Sequence, residues 1–286
     1  MIINKIETAQ INNYANNLGI AIKYAPDVQR LDKLKEAANA YRVPTHGDLG
    51  ELLFNADPAE WDQIVCNWSA TYDLPTTMIV RQKLVDERIT PALNDALKAD
   101  RGNIIKQAYP SAEKAAKTLT LAVEKGIRSL TNYEQPAHDG TTQYLIDAQR
   151  AVDVLHAYAK LIAYIADLRE DGNRTNTLAA VIAPPATLKA RAVNVKYAAG
   201  ADPRWTQPGI VSVADPADER IWKAAIALLS APERERIFDT AIDAYPGGFT
   251  VSPVKSLDEL SARADHYETA ARNNVLNAAQ RSDLSV

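Results

Sequence analysis

Apolar residues recur every three or four positions along most of this chain, the spacing that gives a helix one buried face. The first such stretch predicts a helix from about Ile3 to Lys23, with Ile11, Tyr14, Leu18 and Ile22 on one stripe. Pro26 suits a first helical position and opens a second helix toward Tyr41, which Val43-Pro44 stops. Asp57-Pro58-Ala59-Glu60 is a start signal, with Asp57 placed to cap and Glu60 to reach back. Behind it Trp61, Ile64, Trp68 and Tyr72 share a face, so this short helix is expected to bury much of the aromatic surface. Val85, Ile89, Leu93 and Leu97 predict a helix over 76–100, which Pro91 either kinks or restarts from a Thr90 cap. Ser111 is expected to open a separate helix, with Ala112, Ala116, Leu119, Val123 and Ile127 aligned.

The longest predicted segment lies between Gly140 and Gly172. Leu145, Ala148, Val152, Leu155, Ala159, Ile162 and Ala166 form one stripe; Ala151, Val154, Tyr158, Leu161, Ile165 and Leu168 form a second beside it. Two adjacent stripes make an apolar arc too wide for a surface helix, so this reads as a central helix contacted by several others.

The texture changes at Glu170-Asp171-Gly172-Asn173, a polar stop. We therefore divide the chain into a helical bundle over 1–172 and a smaller α+β lobe over 173–286 that ends in a long helix. Strands are expected at 187–197, with a bulge, at 210–213 and at 249–254, where Pro253 favours a sheet edge. Asp215-Pro216 opens a helix bearing Ile221, Ala224, Ala225 and Leu228, and Ser230-Ala231-Pro232-Glu233 caps another that ends at Pro246. Ser256-Leu257-Asp258-Glu259 is a capping box for the terminal helix. The fold class is mainly α.

Composition agrees with this pattern. Hydrophobic residues make up 47% of the chain, much of it alanine, against only 11 glycines and 7% aromatics; that balance favours helices. The net charge of −4 argues against a global nucleic-acid binder, whose affinity comes from neutralising phosphates. A single cysteine, Cys66, excludes an internal disulfide and a cysteine metal cluster. The first residues do not read as a signal peptide, and no apolar run reaches the length of a membrane span. The expected location is the cytoplasm, or a particle assembled there.

Catalytic templates fail one by one. The histidines, His46, His138, His156 and His266, form no HxxxH pair, and His156 and His266 read as solvated helix positions. His138-Asp139 is a metal-binding dipeptide only if further ligands join it; Asp139 reads more simply as the cap of the long helix. A calcium loop beginning at Asp167 fails, because Arg169 and Leu178 stand where oxygen ligands are required. The carboxylates Glu233, Glu235, Asp239 and Asp243 are interleaved with Arg234 and Arg236 and read as a solvated face. GxSxG, GxxxxGK[ST] and GxGxxG motifs are absent. No catalytic residue, cofactor or metal site is expected.

Three features point to contact instead. Residues 173–200 hold Arg174, Lys189, Arg191 and Lys196 and no acid, and could meet phosphate or an acidic protein surface. Gln10, Asn12, Asn13, Asn16 and Asn17 form an uncharged amide cluster suited to a partly wet interface. Leu257, Leu260, Ala264, Tyr267, Ala271, Asn274 and Ala278 follow coiled-coil spacing, either as an oligomer seam or as the closure of the chain's own core. The expected function is a structural or interaction protein that assembles with itself or with partner proteins, with a phage particle as one setting. The alternatives are an enzyme with a site at the lobe junction, residues 171–215, and a nucleic-acid-associated protein using 173–200.

Overall fold

The computed structural model describes residues 7–40, 52–53, 55–71, 82–166, 174–185, 224–225, 227–228, 231, 233–245 and 247–267. The fold is mainly α. Helix α1 (Thr8–Asn17) is followed by α2 (Pro26–Ala40), a 3-10 turn (Pro58–Glu60) that runs into α3 (Trp61–Thr71), and a π turn (Leu84–Ile89) that runs into α4 (Thr90–Glu124). Then come α5 (Glu134–His138), α6 (Thr142–Ile165), α7 (Arg174–Ala179), β1 (Ile182–Ala183), α8 (Glu233–Ala241), β2 (Thr250–Val251) and a helix over 257–267.

Helices α4 and α6 pack along each other and form the centre. They run antiparallel, as Lys125 at the end of α4 lies over the Tyr144 ring near the start of α6. The two α6 stripes are both used: Leu145, Ala148, Val152, Leu155, Ala159 and Ile162 are buried, as are Ala151, Tyr158, Leu161 and Ile165. Around this helix gather α1, α4, α5, α7 and α8. One core cluster runs from Ile11 to Tyr267, so side chains from both ends of the chain share it.

The longest helix, however, is α4 and not the 140–172 segment. No separate helix opens at Ser111; α4 passes straight through Pro110. Ile104, Ile105, Ala108, Ala112, Ala115, Ala116 and Leu119 continue one buried face across that proline. Burial on both sides outweighs the roughly 3 kcal/mol that an interior proline costs. Pro91 has a different solution. It sits in the first turn of α4, directly after the π turn, where the Thr90 amide donates to the Val85 carbonyl five residues back. The Thr90 side chain makes no cap.

Helix α1 is shorter than expected because the chain reverses at Gly19, which has φ of +70°. The Gly19 amide donates to Asn16 and the Ile20 amide to Ala15, the paired bonds of a Schellman stop. Residues 20–25 then run without regular secondary structure and are held by a row of α4 side chains. Gln107 binds both the amide and the carbonyl of Lys23, Asn103 donates to that same carbonyl, and Asp100 accepts from the Ala25 amide at 3.0 Å. This clamp sets where α2 begins.

Helix α3 starts as read, with Asp57 Oδ1 accepting from the Ala59 amide at 2.9 Å. Its described part does not bury the expected face: Trp61 is 44% exposed, and no residue over 61–67 is buried, Val65 being 41% exposed. Trp68 lies outside the described side chains and Tyr72 outside the described residues.

The one sheet among the described residues has two antiparallel strands, with Ile182 opposite Val251 and Ala183 opposite Thr250. Bonds from Ser252 to Val181 and from Val254 to Ala180 extend the pairing. The expected strand at 249–254 is therefore present at its centre. Its partner, just before Pro184-Pro185, was not foreseen. The expected strands at 187–197 and 210–213 lie outside the described residues. Helical residues 224–225 and 227–228 bury Ala224, Ala225 and Leu228 as the pattern implied. Helix α8 stops at Ala241, short of Pro246, because Asp243 takes φ of +57° and the Ala244 amide turns back to Asp239. At the terminal helix, Ser256 Oγ accepts from the Glu259 amide as the capping box requires, while Glu259 reaches back to the Lys255 amide.

Candidate functional sites

The charged face of α8 is solvated only in part: Arg234, Glu235 and, just beyond the helix, Asp243 are exposed, whereas Glu233 and Asp239 are partly buried. Arg236 is 3% exposed, with Nε donating to the Ala231 carbonyl at 2.7 Å. Glu233 meets His156 of α6, Oε2 to Nε2 at 2.5 Å, and Arg234 pairs with Asp153 at 2.7 Å. His156 is thus half-buried in a clasp between α6 and α8, not a solvated position. The hydrogen bond with His156 holds the Glu233 carboxyl below its ordinary range, against the opposing effect of burial. Burial raises the Asp239 carboxyl, and the neighbouring Glu235 charge adds to that. A His–Glu pair beside an arginine could move a proton, but the cavity beside it measures about 10 Å³. That is room for a single water and not for a substrate. This cavity is also lined by Thr177, Leu178, Val181 and Ile182, which fall in the 171–215 stretch where the alternative reading placed an enzyme site. The remainder of 171–215 lies outside the described residues.

Asp139 is not the cap of α6. It ends α5, accepting from Gln135 at 2.7 Å and lying 3.2 Å from His138 Nδ1. Gln135 first, then His138, lowers its carboxyl. The pair is exposed, and among the described residues no three His, Cys, Asp or Glu side chains are grouped to hold a metal. Cys66 is exposed on α3. His266 is partly buried, with Nδ1 unpartnered. His46 lies outside the described residues.

The interaction candidates fall into three groups. Asn13 and Asn17 stand exposed on α1 and Gln10 is partly buried, with Asn12 held by the Tyr24 hydroxyl. That helix lies antiparallel on the second half of α6: the Glu7 amide donates to the Tyr164 hydroxyl, and the Tyr14 and Tyr164 rings meet edge to face at 5.9 Å. Lys189, Arg191, Lys196 and Asn274 lie outside the described residues. Tyr267 is fully buried, stacked on Phe249, with its hydroxyl donating to the Ile182 carbonyl. The described half of the terminal seam, Leu260 and Tyr267, thus faces the chain's own core.

A groove that sequence reasoning missed opens where α1 ends. It holds about 390 Å³, within the range of ligand and docking sites. Four residues from each central helix line it at matching spacing: Ser111, Lys114, Ala115 and Thr118 from α4, and Asp147, Arg150, Ala151 and Val154 from α6. Leu18 closes one end. The signal in the sequence was a pair of alanines, Ala115 and Ala151, each beside a cation on an otherwise apolar arc.

No family model, curated protein or solved structure matches this chain. No helix among the described residues is long and apolar enough to cross a membrane.

Proposed function

We propose that this chain is a structural or interaction protein that assembles with itself or with partner proteins, with a phage particle as one setting for such a role. The observation that carries this reading is the outer face of α1. From Thr8 to Ile22 the chain holds no charged residue, and Asn12, Asn13, Asn16 and Asn17 are exposed there. Amides cost less to desolvate than ions and pair readily with water or with a partner's polar groups. A face meant only for solvent would more economically carry lysine and glutamate. Exposed Trp61 and Val65, one helical turn apart on α3, are consistent with the same role.

The test is mass in solution by light scattering. We expect a discrete species heavier than the 31.3 kDa chain at tens of micromolar protein. Placing charges on the face, with Asn13→Glu and Asn17→Glu together, should lower that mass. An unchanged mass removes α1 from the interface, and a wild-type monomer leaves only partner-dependent assembly.

A further inference from the structure

We propose that a second copy of this chain docks across the groove between α4 and α6, in a two-fold arrangement centred on Asp147 and Arg150. The proposal rests on the assembly reading above and names the surface that would serve it.

The first argument is the incomplete layer over the central helices. Helix α1 covers the second half of α6 and stops at Leu18, which closes the groove at that end. Over the first half of α6 no described helix continues that layer on the groove side. The floor there is Ala115 and Ala151, both nearly buried, with Val154 beside them. Short side chains let another helix approach closely, as small residues do wherever helices cross tightly.

The second argument is charge. The rim carries both signs, Asp147 against Lys114 and Arg150. Among the described residues neither cation has an ion-pair partner, and Asp147 accepts only from the neutral Gln143. Asp147 and Arg150 are three residues apart on one helix face. A two-fold axis between them sets two α6 helices antiparallel, so that Asp147 of each copy meets Arg150 of the other. Such a patch is complementary to itself. Nucleic acid would want the cations without Asp147, so the mixed rim favours a protein, and this protein in particular. The uncharged amides Asn13 and Asn17 on the neighbouring α1 would form a wet margin.

The test is a charge swap on the full chain, read by light scattering at tens of micromolar protein. The wild type should be a dimer or a multiple of one. Asp147→Arg and Arg150→Asp should each shift dissociation to at least roughly tenfold higher concentration, since each puts like charges in contact. Combining them restores opposite charges across the axis and should restore the wild-type mass. A monomeric wild type overturns the proposal together with self-assembly. An oligomer that ignores both single reversals, or that the double variant fails to rescue, overturns the groove and leaves assembly standing. Circular dichroism on each variant establishes that it is folded. If a single reversal fails to fold, Thr118→Cys in a Cys66→Ser background gives a second readout, since Thr118 lies opposite Asp147 near the axis. A short bis-maleimide spacer should then yield a covalent dimer, and its absence overturns the proposal.

Discussion

Tyr158 and Val254 are both fully buried, and the Tyr158 hydroxyl donates to the Val254 carbonyl at 2.6 Å. The Val254 amide is already committed to the Ala180 carbonyl at 2.9 Å. Tyr158→Phe keeps the ring and its packing and removes only the donor. What remains is a carbonyl of a fully buried residue, shielded from bulk solvent. A lost hydrogen bond that leaves its acceptor unsatisfied costs about 2 kcal/mol. For a chain of this size that corresponds to a fall in Tm of roughly 3–4 °C. Urea unfolding is the assay: the midpoint should drop while the slope with denaturant stays constant. Tyr267→Phe is the internal control. Its hydroxyl reaches the Ile182 carbonyl at the longer distance of 3.2 Å, so its loss should cost about half as much. Tyr158→Ala removes the ring as well and should cost about 3–5 kcal/mol. If Tyr158→Phe lies within about 0.5 kcal/mol of wild type while Tyr158→Ala is severe, the ring matters and the hydrogen-bond argument is wrong.

Gln107→Ala releases both polar groups of Lys23 and should destabilise by about 1–2 kcal/mol; faster amide exchange over 20–25 than over α4 would locate the effect, and uniform loss would contradict it. Gly126 has φ of +92° and ends α4 in a Schellman stop, so Gly126→Ala should cost about 1–2 kcal/mol in the same urea assay although open space surrounds the new methyl. The Glu233 carboxyl is held low in the folded state, so its contribution is present above the unfolded pKa and is lost as pH falls through the folded one. His156→Ala should therefore shrink the loss of stability on acidification below the ordinary carboxylate range, and an unchanged acid limb in thermal melts would show that the clasp contributes nothing.

Much of the architecture was legible because burial follows periodicity. Leu145 to Ile162 announced the central helix through two adjacent stripes, and Ser256 to Glu259 announced a cap that the backbone uses. The errors share a cause, which is that local signals were weighed without the packing that overrides them. Pro110 reads as a break until Ile104, Ile105, Ala112 and Ala115 are seen to share one buried face. His156, Glu233 and Asp153 each look solvated within their own helix, and only the contact between α6 and α8 makes a clasp of them. Trp61 misled in the opposite direction: a helical stripe of aromatics implies burial only where something lies against it. The groove was illegible for a related reason, since its two walls lie more than twenty residues apart in sequence and neither is unusual alone.

Val85, Ile89, Leu93 and Leu97 are all buried, yet they are spaced by four, and a regular helix turns about 400° in four residues. Over three such steps the face would drift by about 120°, far enough to carry Val85 out of the core. The π turn over Leu84–Ile89 winds more residues into its turn and takes up part of that drift. It acts as a phase corrector between a sequence counted in fours and a core that needs 3.6. Removing one residue from this turn would let it relax into ordinary helix with Val85 kept roughly in phase, whereas removing one from the regular helix behind it would rotate Val85 by about 100° and swing it outward. Length is therefore less constrained in this turn than in the regular helix behind it, and a single deletion here should do less harm than one a few turns later in α4.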